Sequence, residues 1–328
     1  MYIRAFVRTH RAHINIMKNT IPIFPEFRPF TFDDISWYCD FYHDNGLSPY
    51  ADISPDDLFV WLNYNEDLII SKINNAIILQ YTNTLDNNKI NIIPLGRPLK
   101  DNTVEQVMRY LTEKKLPEVI REVPSVLCCN LDEKKWSILE DRDSYEYILD
   151  TREQSSLGGS DFSRQRRRIN YFEREHSCDK IDVQLHKDIN DDIKELFFQY
   201  INSMPFNSSQ NSSNQNLTEP AAIKRNLEYA TAFRKQVLVI KINDKVASLS
   251  LISCLDDDTV AINHLKVDYS IQYIFQYTIY RLAKIFDETG IKEMNIEQDL
   301  GVEGIRIFKE RLQPSHFLKK KIICSRHQ

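Results

Sequence analysis

Three β-rich runs follow one another with almost no room between them: Val237–Ile242, Val246–Cys254 and Thr259–Val267. Asn243-Asp244 separates the first two and Asp256-Asp257-Asp258 the second two, and both are turn residues. Strands so closely joined are a meander. A helix is expected from Ile271 to Asp287, because Ile271, Ile274, Phe275, Thr278, Ile279, Leu282 and Phe286 recur at helical spacing. A short strand over 292–297 follows, with Met294 and Ile296 alternating onto one face. Meander, long helix and returning strand together predict an α+β sheet flanked by helices.

That returning strand ends in acid and turns directly into another helix. Glu297 and Asp299 stand at its exit, Gly301 and Gly304 allow a tight turn, and Ile305, Phe308 and Leu312 form an inward stripe. Arg306 and Lys309 sit side by side at i, i+3. Two acids, two glycines and two cations crowd one corner. The same residues would also make an ordinary capped helix with solvated charges.

A second concentration of charge is Asp161-Phe162-Ser163-Arg164-Gln165-Arg166-Arg167-Arg168-Ile169-Asn170-Tyr171-Phe172, which predicts a helix with Phe162, Ile169 and Phe172 inward. Arg164, Arg167, Arg168 and Tyr171 share another side. Guanidinium groups bind phosphate in bidentate fashion and a tyrosine can stack on a base. A solvated face paired with Glu173 and Glu175 is the alternative.

Upstream, Ile21–Pro25 is extended and Thr31 opens a helix carrying Ile35, Tyr38 and Tyr42. Asp67–Ile73 and Ala76–Tyr81 predict a hairpin around Asn74-Asn75. Lys89–Pro94 is a strand, Thr103–Lys115 a helix, Val119–Val126 a strand and Leu131–Glu140 a helix. Helices are expected over Lys187–Asn202 and Glu219–Lys235, and a last strand near Phe317–Cys324 completes the second sheet. The tract Asn207–Asn216 is almost wholly Asn, Ser and Gln and predicts a mobile loop. Residues 1–20 are a basic tail, disordered or preceding the true start; a scaffold domain spans 21–143 and a catalytic candidate 144–328. No internal sequence repeat is visible.

A net charge of -5 argues against a wholly basic nucleic-acid binder, DNA included, so any RNA contact comes from a local patch. Six cysteines without C-x-x-C spacing suit reduced thiols in a cytoplasmic protein. The histidines lack metal-ligand spacing, no G-x-S-x-G is present, and no apolar run reaches the ~20 residues that span a bilayer.

Three segments carry a family resemblance. They are Asn295, Glu297, Asp299-Leu300-Gly301, Gly304-Ile305-Arg306, Lys309 and Pro314; Tyr147-Ile148-Leu149-Asp150, Leu157-Gly158-Gly159 and Arg166-Arg167-Arg168-Ile169-Asn170-Tyr171-Phe172; and His264-Leu265-Lys266. From about Phe27 onward the chain resembles the phosphatidylglycerol lysyltransferase C-terminal domain family. The resemblance implies two tandem acetyltransferase-like (GNAT) domains, each a mixed, mostly antiparallel sheet flanked by helices. It implies an acyltransferase that moves an aminoacyl group from charged tRNA to a lipid headgroup or another amine or hydroxyl. The protein would then be cytoplasmic and peripheral to the membrane. In such a fold the donor lies where two parallel strands splay, here those ending at Val267 and Glu297. Glu297, Asp299 and His264 are the catalytic candidates, as base or as counter-ion to an amino group. Lys266, Arg166, Arg167, Asn170, Asn295, Arg306 and Lys309 are the substrate-binding candidates, Arg306 and Lys309 toward donor phosphate. The turn Asp268–Tyr273 lacks the glycine with which acyl-CoA users cradle pyrophosphate, which favours aminoacyl-tRNA over acyl-CoA as donor. An acyl-CoA-dependent N-acetyltransferase and an inactive binding protein on the same fold are the alternatives.

Overall fold

The computed structural model describes residues 21–62, 67–83, 89–203 and 215–326. The basic tail 1–20 and most of the polar tract, 207–214, lie outside them. The chain divides into two compact units, one formed by residues up to Tyr145 together with the segment from Leu318 onward, the other by Glu146–Phe317.

In the first unit β1 (Arg28–Pro29), β2 (Ile69–Ile73), β3 (Ala76–Asn83) and β4 (Lys89–Leu95) make an antiparallel sheet in chain order. Asn74 turns the β2–β3 hairpin at φ 53°, a conformation asparagine tolerates better than most residues. Helix α1 (Ile35–Asp44) starts where Asp34 accepts the Thr31 N–H at 2.8 Å, and it buries Trp37, Tyr38, Phe41 and Tyr42. Helix α2 (Asp101–Glu113) buries Val104, Val107, Met108 and Leu111. Strand β5 (Val119–Pro124) follows, then β6 (Trp136–Glu140).

The helix expected over Leu131–Glu140 is not formed: Trp136–Glu140 is strand β6. Its partner is the C-terminal strand, about 180 residues away, so a tertiary ladder overrides a weak helical pattern.

The second unit contains β7 (Glu146–Asp150), α3 (Thr151–Ser156), α4 (Ser163–Glu175), β8 (Ile181–His186), α5 (Asp191–Ser203) and α6 (Gln215–Glu228). The meander β9 (Gln236–Ile242), β10 (Lys245–Cys254) and β11 (Thr259–Val267) comes next. Then come α7 (Ile274–Thr289), β12 (Glu293–Gln298), α8 (Glu303–Glu310) and β13 (His316–Leu318). The sheet order is β13-β7-β12-β11-β10-β9-β8. Its β11–β12 pair is parallel, whereas β12 meets β7 antiparallel. One face packs on α4 and α7 through Phe172, Leu238, Ile262, Ile279, Leu282 and Met294. The other packs on α5 and α6 through Phe197, Leu227, Val239 and Leu251. With both faces covered, the central strands β9, β10 and β11 are buried almost continuously instead of in alternation.

The strand expected near Phe317–Cys324 divides: its start, β13, takes the edge of the second sheet, but the final strand, β14 (Lys320–Ser325), does not join that sheet. It lies between β5 and β6 in the first unit. Which sheet a terminal strand joins is decided by its partners, and its own alternation is silent on that. The fold is α+β, two tandem acetyltransferase-like units.

Candidate functional site

The parallel ladder of β11 and β12 is short. It runs from Thr259↔Glu293 to Ala261↔Asn295 and stops, although β11 continues to Val267. Beyond that point the strands part around a cleft of about 720 Å³. Its wall is largely apolar, with Ile262, Leu265, Val267, Phe275, Ile296 and Phe308 among its residues, and its charged members are Glu219, Glu297 and Lys309.

Glu297 stands where the strands diverge. Asn295 and Gln298 pair with Ile148 and Glu146 of β7, so Ile296 and Glu297 together oppose only Tyr147. This bulge puts Glu297 at φ 60°, a left-handed conformation that costs a non-glycine residue on the order of 1 kcal/mol and persists only when its surroundings hold it. Two groups do so. The Asn295 Oδ1 accepts the Glu297 N–H at 2.7 Å. The Lys309 Nζ donates to the carbonyls of Ile296 and Gln298, at 2.5 and 2.6 Å, on either side of Glu297. Asn295 is in turn buried and donates to the buried Glu146. The Glu297 Oε1 accepts the Asn263 Nδ2 at 3.3 Å.

Lys309, expected toward donor phosphate, is placed as a pin for the bulge, its ammonium bound to these two carbonyls. Burial pulls its pKa down to about 8, against the charges of Glu297, Asp299 and Glu146. The Asp299 side chain is 0% exposed. It accepts Arg306 Nε and NH2 at 2.9 Å each, the Tyr147 hydroxyl at 2.6 Å and the Gly301 N–H at 2.9 Å. Burial alone would raise its pKa; these donors, Arg306 foremost, outweigh it and bring the value down to about 2. Asp299 and Arg306 thus form a bidentate clamp that fixes the strand-to-helix turn. A carboxylate so held is a poor proton acceptor, and Glu297 is the better placed of the two.

His264 and Lys266 share a face, as expected, but it is the face toward α6. The Lys266 Nζ lies 2.7 Å from Glu219 Oε1, the His264 Nδ1 lies 3.6 Å from it, and the His264 Nε2 is 3.2 Å from Asn226 Nδ2. Burial lowers the His264 pKa against its bond to Glu219, which keeps the ring neutral near pH 7. For Glu219 burial would raise the pKa, but His264 and Lys266 carry it down to about 2, so this cleft-lining carboxylate stays ionised. His264 is placed to position Glu219 more than to move a proton.

The arginine helix, α4, buries Gln165, Ile169 and Phe172, and Phe162 just before it is buried as well. The Arg166 NH1 donates to the carbonyls of Leu157 and Gly159, at 2.7 Å for Gly159, and so ties down the preceding loop. Arg167 and Asn170 are exposed and, with Tyr171 and Arg174, line a shallow basic hollow. From there a ladder of rings and guanidinium groups leads to the cleft. Arg174 lies 5.2 Å from the Tyr171 ring centroid, Tyr171 meets Tyr273 edge to face at 5.5 Å, and Arg168 lies 5.6 Å from the Tyr273 centroid. Tyr273 itself lines the cleft.

Sequence reasoning missed Glu219, Asn263, Ser253 and the buried Lys235. The Lys235 Nζ donates to Ser253 Oγ and to Asn263 Oδ1, at 2.5 and 3.0 Å, and so orients the amide that faces Glu297. A lysine just ahead of an apolar strand was the one available signal for it.

The residues do not suit the pyrophosphate of acyl-CoA. Tyr273 stands at φ 66° where a glycine would ease the turn into α7. Asp268 occupies the same turn, and its carboxylate accepts the Ser270 N–H at 2.9 Å and the Ser270 hydroxyl at 2.6 Å. A carboxylate already seated on those donors repels a phosphate.

A parallel strand pair that parts over a glutamate, with a helix N-terminus beside the opening, is the construction of an acyltransferase-like protein. The chain matches the family "Phosphatidylglycerol lysyltransferase, C-terminal" over residues 57–324 and belongs to it. Among solved structures it is similar to a conserved protein of unknown function from Bacteroides thetaiotaomicron, at 19% identity over 92% of this chain and 99% of that one, with TM-score 0.73. It is similar also to L-PGS from Bacillus licheniformis (12% identity, 92% and 94% covered, TM-score 0.59). A third likeness is to the C-terminal domain of a putative lysylphosphatidylglycerol synthetase from Agrobacterium fabrum (11% identity, 90% and 93% covered, TM-score 0.52). No curated protein matches it at a significant level. Among the described residues no helix is long and apolar enough to cross a membrane.

Proposed function

We propose that this protein transfers an aminoacyl group from charged tRNA to an amine or hydroxyl acceptor, a lipid headgroup foremost, and that the second unit carries the chemistry. The observation that carries this reading is Glu297, held in a left-handed bulge at the point where β11 and β12 part over an apolar cleft. In the reaction the acceptor's nitrogen or oxygen attacks the ester carbonyl. Glu297 takes the proton the acceptor gives up, the ester C–O bond breaks, and the leaving ribose oxygen receives a proton in return. Backbone N–H groups of β11 beyond Ala261, past the end of the parallel ladder, are the candidate donors to the developing oxyanion. Glu219, kept ionised by Lys266 and His264, is the counter-ion for an amino group at the far side of the cleft.

The ladder of Arg174, Tyr171, Tyr273 and Arg168 supports a single-stranded RNA end as the donor's handle: guanidinium groups take phosphate and tyrosines stack bases. Asp268, set in the turn where pyrophosphate would lie, disfavours the acyl-CoA alternative. Lipid as acceptor rests on the family.

The test is incubation with a mixed pool of charged tRNAs and phospholipid vesicles, following ester loss and lipid-linked amino acid. Wild type is expected to release aminoacyl ester in the presence of acceptor, and Glu297→Gln to bind RNA equally but transfer at least about 100-fold more slowly, the usual scale for a lost general base. Equal rates with wild type, variant and buffer would end the proposal. RNA binding with no transfer in any lane would favour a binding protein on this fold.

A further inference from the structure

The arrangement around Glu297 recurs in the first unit. There β5 follows α2 as β12 follows α7 in the second. Glu122 of β5 has φ 60°, the value found at Glu297. Left-handed backbone is uncommon outside glycine, and rarer still for a long side chain within a strand. Ile120 and Val123 pair with Ile323 and Lys321 of β14, so Arg121 and Glu122 oppose one residue, just as Ile296 and Glu297 do. The Glu122 N–H is taken by a side-chain oxygen, Asp141 Oδ2 at 3.0 Å, as that of Glu297 is taken by Asn295. The Glu122 Oε1 accepts from Asn91 Nδ2 on the last strand of the meander at 3.3 Å, the same partner type, strand and distance as Asn263 with Glu297. Beside each asparagine the preceding strand supplies a hydroxyl, Tyr81 in β3 and Ser253 in β10.

The two arrangements differ in the reach of that hydroxyl. Ser253 is short, and its Oγ donates to Asn263. Tyr81 is long, 5% exposed, and its O–H donates to Glu122 Oε2. We infer that the first unit holds a second copy of the carboxylate site, and that Tyr81 is its built-in occupant. The phenol O–H stands at Glu122 where a ligand's O–H or N–H stands at Glu297. Removing the Tyr81 side chain reopens the copy to a phenol-sized hydroxyl or amine. The assignment of a ligand to Glu297 rests on the function proposed above; the construction around Glu122 does not. Burial raises the Glu122 pKa against the Tyr81 bond and the charge of Lys320, the condition of a carboxyl group shut in with a neutral donor.

The experiment counts equivalents. Titration calorimetry with p-cresol, the excised tyrosine side chain, is run on the full chain as wild type, Tyr81→Ala, Tyr81→Phe and the double variant Tyr81→Ala, Glu122→Met, with toluene as the control ligand. Tyr81→Ala is expected to bind one more equivalent of p-cresol than wild type, at least about tenfold tighter than toluene, since a hydrogen bond to a carboxylate is worth a factor of that order. Tyr81→Phe fills the space and gains no equivalent, and Glu122→Met abolishes the gain. No extra equivalent in folded Tyr81→Ala, or toluene binding as well as p-cresol, overturns the inference. Where Tyr81→Ala does not fold alone, refolding is run with each ligand: recovery by p-cresol and not toluene upholds it, and recovery by both or neither overturns it. The count is independent of ester transfer, so this inference and the transferase reading fail separately.

Discussion

Arg306→Met tests whether the corner after β12 is a clamp or a solvated helix start. Asp299 is wholly buried and takes two of its hydrogen bonds from Arg306. Its pKa falls from 3.8 to about 2, a native-state preference for the ionised form worth roughly 2 kcal/mol. Methionine keeps an unbranched apolar stem and removes the guanidinium with its charge and donors. The Tyr147 and Gly301 donors remain, so the loss falls somewhat below the ~3–5 kcal/mol typical of a broken buried pair; about 2–3 kcal/mol is expected at pH 7. The pH dependence separates the two accounts. In wild type the Asp299 contribution is complete above its unfolded pKa near 3.8 and is lost as pH falls toward 2. In the variant the buried carboxyl has lost its cation, so its pKa rises, the folded state gains protons on acidification, and the deficit relative to wild type shrinks toward pH 4. Urea unfolding followed by far-ultraviolet circular dichroism at pH 7 and pH 4.5 measures both. Fluorescence offers an internal control, because Trp37, Trp61 and Trp136 all belong to the first unit. A deficit under about 1 kcal/mol at pH 7, the range of an exposed pair, or one that is the same at both pH values, refutes the clamp.

Three further outcomes are expected. Competitive acetylation with acetic anhydride from pH 7 to 11, read by peptide mass, should show Lys309 titrating near 8, well below the ordinary lysine value of 10.5; a midpoint near 10.5 would contradict its burial over two carbonyls. Because that folded pKa is depressed, unfolding releases Lys309 to bind more protons, so stability should rise between about pH 8 and 10, and this rise should be absent in Lys309→Met. Tyr171→Ala should weaken binding of a single-stranded CCA-ended oligonucleotide by about 5–100-fold, as loss of one stacking platform does, and leave an abasic oligonucleotide unaffected; equal losses would reduce the ladder to a phosphate contact.

Much of the second unit was legible because its elements are local. The meander, α7 and β12 announce themselves by turn residues and periodicity, and the acid–glycine–cation corner lies on consecutive residues. Residue types could not say which charge meets which. Arg306 and Lys309 are neighbours at i, i+3, yet one clamps Asp299 and the other reaches back to carbonyls beside Glu297. That division depends on the bulge, and a left-handed glutamate leaves no mark in sequence. Asn263 and Glu219 come from separate elements and converge only once the sheet has formed. The first unit was less legible for the same reason. Strand β6 has the length and composition of a helical turn, and β14 chooses its sheet by partners far away in the chain. The repeat of Glu297 as Glu122 escaped because its members match in geometry and hydrogen bonding, with tyrosine at one hydroxyl position and serine at the other.

The most direct test of the central claim is a crystal structure with a non-hydrolysable 3′-aminoacylamino-3′-deoxyadenosine. The account predicts density for the amide carbonyl between the parted ends of β11 and β12, with the reacting carbon within reach of a group hydrogen-bonded to Glu297 and the adenine stacked on Tyr273 or Tyr171. Density for the analogue elsewhere on the chain, with the cleft unchanged, would contradict it.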